Sequence, residues 1–260
     1  MTNGFWGLPG YTLRIGVGIV TGLLWLWFAA SHDHFSHRQL AVLCWSIGLC
    51  ALLCGRVGYI LMNGEYFWQN PAHILQLHRI GGVNGESALL GGLIGLTIWT
   101  LAENWRQDSA LDFDNALSLF TPAALFVIAG AWWACQHTGC SWGQAAPSDT
   151  RWQWLRVTSP DLYRSILPRY PVQLMGGVWA MLLGVGSAIR WLHGKRASWG
   201  LVFYCLGAAA ISQLRGDDVP TFGQLRIDTL GNMGIALAVS TWQWIHPRLE
   251  IGVEKTEHRH

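Results

Sequence analysis

The chain has 260 residues, of which 51% are hydrophobic and only 12% charged, and its formal net charge is +2. Soluble domains carry about 25% charged residues, so the composition excludes an ordinary soluble protein, and the small charge offers no basic field for nucleic acid. The 17 Trp and 31 Gly suit membrane helices, where Trp gathers at the headgroup level and Gly is commoner than in soluble helices.

A spanning helix needs about 20 mostly apolar residues, and seven stretches approach that. The first is Thr12–Ala30. It lacks a basic leader and a small-residue cleavage site, so it reads as a helix and not as a removable signal peptide. His32, Asp33, His34 and His37 follow. Their spacing matches no metal motif, and neither metal nor cofactor is expected. The second stretch, Gln39–Met62, carries Cys44, Cys50 and Cys54, which behave there as small hydrophobes. It closes on GRVGYIL. The charge of Arg56 at that depth is costly unless it finds a partner or snorkels, so an anion site and a snorkelling side chain are both open.

A long connection, Asn63–Glu86, contains Pro71 and a glycine-rich end. The third stretch, Ser87–Ala102, lies in GGVNGESALLGGLIG. Gly91 and Gly95 have the spacing of a helix-packing face. Asn84 and Glu86 stand where the helix starts. Glu86 is a candidate general base, or an acidic residue favoured by the helix dipole.

The fourth stretch, Ala116–Ala134, runs into ACQHTGCSWG. His137 has the titration range for acid–base work, or it simply belongs to a polar turn. Cys135 and Cys140 lack CxxC spacing, so neither a zinc site nor a disulfide framework is expected. Thr138–Pro171 is polar, with arginines interleaved with Trp152, Trp154 and Tyr163, and reads as an ordered interfacial head. The fifth stretch, Val172–Leu192, begins in RYPVQLMGG. Its Gln173 is an intramembrane hydrogen-bonding group or helix–helix glue.

The sixth stretch, Ser198–Leu214, carries Tyr204 and leads to Arg215, beside Asp217 and Asp218. The seventh, Leu230–Ile245, opens with Asp228, Gly231 and Asn232 around its start. A polar tail follows Pro247. With the N-terminus outside, the inner segments hold Arg38, Arg106, Arg190, Lys195, Arg196, Arg248, Lys255 and Arg259, against Arg79, Arg215 and Arg226 in the short outer loops. The positive-inside rule therefore sets the N-terminus outside and the C-terminus in the cytoplasm. The expected fold is an all-α integral membrane protein. It has about seven transmembrane helices in one domain over residues 1–247, a small extracytoplasmic head inserted at about 138–171, and a polar tail at 248–260.

Taken together the motifs resemble the prolipoprotein diacylglyceryl transferase family. GRVGYIL and HRIGGVNGESALLGGLIG are similar to its second-to-third helix region, CQHTGCSWG to its signature turn, YPVQL to its HPxQLYE segment, and LGN at Leu230–Asn232 to its closing MGQ. Tyr204 and Arg215 fit its next-to-last helix. The resemblance covers about Leu40–Ile245. It implies a multi-pass protein of the bacterial inner membrane that moves diacylglyceryl from phosphatidylglycerol to a lipobox cysteine thiol. Glycerol phosphate leaves and a thioether forms. The implied partners are an anionic phospholipid and a preprolipoprotein. Glu86 and His137 are then the catalytic candidates, and Arg56, Tyr204, Arg215, Gln173 and Asn84 the lipid-binding ones.

The sequence departs from the family pattern at several reactive positions. The family's His before the third helix is read at Glu86, its signature-turn Arg at Trp132 and its turn Asn at Cys135. Its Arg and Glu of the sixth helix fall at Ala208 and Ser212, its HPxQL His at Tyr170, and its Tyr-Glu pair at Met175 and Gly176. A catalytically degenerate member that binds lipid, or serves as a subunit of a membrane complex, is therefore the alternative. A transporter is a third, weaker option, since paired discontinuous helices are not evident.

Overall fold

The computed structural model describes residues 10–32, 36–76, 82–106, 113–146, 155–161, 163 and 165–257. His34, and Arg79, Arg151, Trp152, Trp154, Arg164 and Arg259, lie outside the described residues. The long helices are α1 (Gly10–His32), α2 (His37–Met62), α4 (Gly85–Arg106), α5 (Phe113–Thr138), α6 (Val172–Leu192), α7 (Trp199–Ser212) and α8 (Ile227–Glu257). Each contains or overlaps one of the seven expected stretches. Five of them (α1, α2, α4, α5 and α6) are long and apolar enough to cross a membrane. With 14 residues, α7 is about 21 Å long at 1.5 Å per residue, short of the roughly 30 Å hydrocarbon core. α8 has 31 residues and continues through the polar tail to Glu257.

Smaller elements fill the connections. The stretch after α2 folds into α3 (Gly64–Gln69) and a 3-10 turn at Pro71–Leu75. The connection between α5 and α6 holds an antiparallel pair, β1 (Val157–Pro160) and β2 (Ile166–Arg169), in register Val157 with Arg169. A second small pair, β3 (Thr221–Phe222) and β4 (Leu225–Arg226), precedes α8. The helical protein thus carries two short β pieces, which apolar periodicity gave no reason to expect.

Glycine decides how closely the helices pack. A Cβ at Gly18 of α1 would meet Phe126 O at 2.8 Å and Gly130 Cα at 2.9 Å on α5. On α4, a Cβ at Gly91 would come within 2.3 Å of Cys50 O, and one at Gly95 within 2.5 Å of Ser46 O. The Ser46 hydroxyl donates to Gly95 O at 2.8 Å across the same contact. α5 is the most enclosed helix, buried almost continuously from Ala116 to Phe126. By contrast, Leu24, Leu53, Leu182 and Leu237 stand 56–69% exposed. Such apolar surface would be a liability in water, and lipid tails match it.

The seven long helices run between two polar ends. At one end, buried Asp114 accepts from Gln243 Nε2 and pairs with Arg196 Nε at 3.0 Å, tying α5 and α8 to the α6–α7 turn. His32 lies against Trp191 at the same end. At the other end, the start of α4 meets the start of α8 and the end of α7. The candidate site is there.

Candidate functional site

Asn84 forms the start of α4. Its Oδ1 accepts from Ser87 N at 2.8 Å, and its own N–H donates to Gly55 O of α2 at 2.9 Å. This N-cap arrangement fixes the first turn of α4 and sets Glu86 within it. The Glu86 carboxylate is half-buried. It accepts from Asn84 Nδ2 at 3.0 Å and from Asn232 Nδ2 at 3.4 Å. Asn232 is anchored on α8 by Asp228 O at 2.9 Å. Gly231 faces Glu86 across this contact, and a Cβ there would rest 3.5 Å from the Cβ of Glu86, in ordinary van der Waals contact. A carboxylate offers about four acceptor sites, so two donors leave capacity for a further proton or donor.

Around Glu86 lies a tight ion network. Arg215 donates to both oxygens of Asp217 through Nε and Nη2, at 2.9 and 2.5 Å, and pairs with Asp228 through Nη1 at 3.0 Å. Arg226 bonds Asp228 through Nε at 3.2 Å and Asp217 through Nη2 at 3.0 Å. Its Nη1 reaches the carbonyl oxygens of Asp217 and Arg215. Burial disfavours the charge on Arg215, but the Asp217 hydrogen bonds and the charges of Asp217, Glu86 and Asp228 outweigh it and hold its pKa above the usual range. Glu86 completes this set electrostatically. Across from it, buried Tyr204 accepts from Trp132 Nε1 at 3.2 Å, and Glu86 interacts with both Tyr204 and Cys205.

The structure therefore brings together four of the expected residues: Glu86, Asn84, Tyr204 and Arg215. It holds the other three elsewhere. Arg56 is buried, with Nε on Ile74 O, Nη1 on Gly82 O and Nη2 on His73 O at 2.9–3.2 Å, and Phe67 and Tyr59 stack near its guanidinium. It fastens the loop after α2. His137 is exposed and packs against Gly10 at the start of α1. Buried Gln173 donates to Cys140 O at 3.0 Å and pins the turn after α5.

The cysteines of that turn are a correction. Cys135 and Cys140, expected to be unpaired, form a disulfide with their Cα atoms 4.8 Å apart. The end of α5 curls back through Gly139 (φ +73°) and Ser141 (φ +50°), and this reversal brings together residues whose spacing matches no paired motif. Arg226, Asp217 and Asn232 were also missed as site members. The sequence signals for them were the place of Asp217 beside Arg215, the LGN segment that ends at Asn232, and polarity near the start of α8. No group of three or more His, Cys, Asp or Glu among the described residues is arranged to hold a metal ion.

The chain matches the family model described as prolipoprotein diacylglyceryl transferase over residues 4–244. It belongs to this family. Curated relatives named phosphatidylglycerol–prolipoprotein diacylglyceryl transferase agree with that placement. The one from Acaryochloris marina is 26% identical over 249 residues, covering 92% of this chain and 87% of the relative. That from Chlamydia caviae is 29% identical over 197 residues, covering 68% and 62%, and that from Thermosynechococcus vestitus 24% over 250 residues, covering 92% and 88%. Within this family of membrane proteins, the Glu86 cluster is the candidate site that the fold of this chain assembles.

Proposed function

We propose that this protein is a phosphatidylglycerol–prolipoprotein diacylglyceryl transferase of the bacterial inner membrane, with seven helices in the bilayer, the short α7 among them spanning only part of its thickness, and the Glu86 end facing outward. The observation that carries this reading is the polar cluster built by α4, α7 and α8 around Glu86, in a chain that matches the family nearly end to end. In the proposed step, Glu86 takes the proton of the lipobox cysteine thiol, since thiolate is the nucleophile. The thiolate sulfur attacks the terminal glyceryl carbon of the phospholipid. The C–S bond forms as the C–O bond to phosphate breaks, and glycerol phosphate leaves with the electron pair. Asn84 and Asn232 orient the carboxylate, and Tyr204 and Trp132 wall the site.

Restoration of lipoprotein lipidation in a transferase-depleted cell tests the reading directly. Glu86→Gln keeps the shape and removes the base, and should cost about 10²–10⁴-fold in transfer rate. Full activity in that variant would reduce Glu86 to a helix-start residue.

One observation favours a second reading, a lipid-binding or complex-subunit member without catalysis. The nitrogens of Arg215 are spent on Asp217 and Asp228, and those of Arg56 on backbone carbonyls. These contacts commit at least three of the five N–H groups of each guanidinium to the protein itself. Absence of transfer with varied phospholipids and lipobox peptides, combined with phospholipid that co-purifies, would select this second reading.

A further inference from the structure

The disulfide sits at the head of a chain of backbone contacts that ends at the ion network. Cys135 lies in the last turn of α5, three residues after Trp132 and so on the same helical face, one turn nearer the end of the helix. Beyond Cys140 the chain becomes a clasp. Trp142 O accepts from Gly216 N at 2.8 Å, and Gln144 N donates to Leu214 O at 2.9 Å. Gly143 thereby pairs with Arg215. On the opposite edge Ala145 pairs with Arg169, Tyr170 N donates to Gln144 O at 3.1 Å, and Arg169 Nη1 donates to Gly143 O at 3.2 Å. The fit is close, because a Cβ at Gly143 would stand 2.0 Å from Tyr170 O.

This strip brackets Arg215 through its neighbours Leu214 and Gly216, while Arg215 N–H donates to Ser212 O and its carbonyl accepts from Arg226 Nη1. The strip itself is tethered to α5 by the turn Cys135–Ser141, where Gly139 and the non-glycine Ser141, on either side of Cys140, adopt left-handed conformations. Left-handed backbone at Ser141 persists only when the surroundings enforce it. Gln173 supplies one restraint through Cys140 O, and Thr138 Oγ1 another through Cys140 Sγ. The disulfide supplies the covalent one. Both cysteines are half-exposed, so a thiolate can reach the bond. Cys44, Cys50, Cys54 and Cys205 are free, so this is the one disulfide among the described residues for a reductant to act on.

We propose that Cys135 and Cys140 are positioning residues whose disulfide keeps the Arg215 clasp closed, making the site competent only in its oxidised form. Reduction by a dithiol converts the bond to two thiols and the dithiol to its own disulfide, two electrons passing to the protein. The restraint on the turn is lost, and the clasp loosens from the Gly143–Arg215 edge inward. The proposal rests on the assignment of the site to the Glu86 cluster. Its first readout is independent of transfer activity.

Hydrogen exchange is measured on the full chain in detergent, before and after treatment with a membrane-permeant dithiol, and again after reoxidation. The Gln144 and Gly216 amides should exchange roughly tenfold faster in the reduced protein, while the Ala88 amide at the start of α4, bonded to Asn84 O, holds its rate. Reoxidation should restore the protection, and co-purified phospholipid should fall and return in step. The Cys135→Ser, Cys140→Ser double variant should match the reduced wild type, and the wild-type measurement decides if that variant does not fold. Unchanged exchange at Gln144 and Gly216 after complete reduction overturns the proposal. Altered exchange with no transfer in either state leaves it standing and removes only the catalytic reading.

Discussion

At the scale of single residues, the balance of charge around Glu86 is the main finding. Arg215 and Arg226 face Asp217 and Asp228, two cations against two anions, and Glu86 adds one more carboxylate. Asp228 is 2% exposed, so it depends on both arginines. Arg226→Met should destabilise the protein by about 3 kcal/mol, because removing one partner from a buried network leaves an uncompensated charge. Removing Asp217 as well, in Arg226→Met, Asp217→Leu, should recover part of that loss. Thermal melts of the two variants in detergent check this, and equal destabilisation of single and double variants would refute the coupling. Glu86 and Asn84 stood out in the sequence as polar groups at the start of the third apolar stretch, and Tyr204 and Arg215 through the family resemblance. Arg56 was conspicuous because a charge at membrane depth is costly. Sequence position does not say which acceptors a donor meets, however, and its donors meet the carbonyls of His73, Ile74 and Gly82. The disulfide was illegible because it depends on the reversal at Gly139 and Ser141, which no pairwise spacing encodes.

At the scale of elements, the long helices were readable because each is an apolar run interrupted by polar turns. Their ends were less so. α4 begins at Gly85 and reaches Arg106, beyond the apolar stretch, since its polar last turn contains buried Glu103. The hairpin of β1 and β2 lay inside a stretch whose composition indicated order without indicating strands. The glycine pattern of α4 was read correctly as a packing face. Gly95 meets Ser46 O and Ile47 Cα of α2, and Gly91 meets Cys50 O. Lipid tails give no hydrophobic drive for helix association, so close backbone contact must supply it. Gly95→Leu should therefore separate α2 from α4 and shift Asn84, which hangs from Gly55 O of α2. The expected result is a lower melting temperature together with loss of bound phospholipid. Gly48→Leu, placed where a Cβ meets nothing within 4 Å, should be neutral in both measurements. If both substitutions behave alike, close packing between α2 and α4 is not what positions the start of α4.

At the scale of the whole molecule, two independent arguments bear on orientation. The short loops at the Asp114 end carry the excess of Lys and Arg, which favours the cytoplasm. The opposite end carries the Cys135–Cys140 disulfide, and disulfides persist in oxidising compartments such as the bacterial periplasm. The first argument uses charge and the second redox chemistry, and both support the proposal that the Glu86 end faces outward. A lipobox cysteine presented at the outer surface would then meet the carboxylate without crossing the bilayer, and the donor lipid would come from the outer leaflet. In the proposed orientation α1 begins beside His137 at the Glu86 end and α8 passes Asp114 through Gln243 at the other, which would put the tail in the cytoplasm. Single cysteines report this directly. Ser165→Cys, at an exposed position between β1 and β2, should react with an impermeant maleimide applied to intact spheroplasts. Lys255→Cys should react only after permeabilisation. Labelling of Lys255→Cys from outside, with Ser165→Cys protected, would invert the molecule. It would place the disulfide in a reducing compartment and leave Glu86 on the side where no translocated lipobox thiol could reach it.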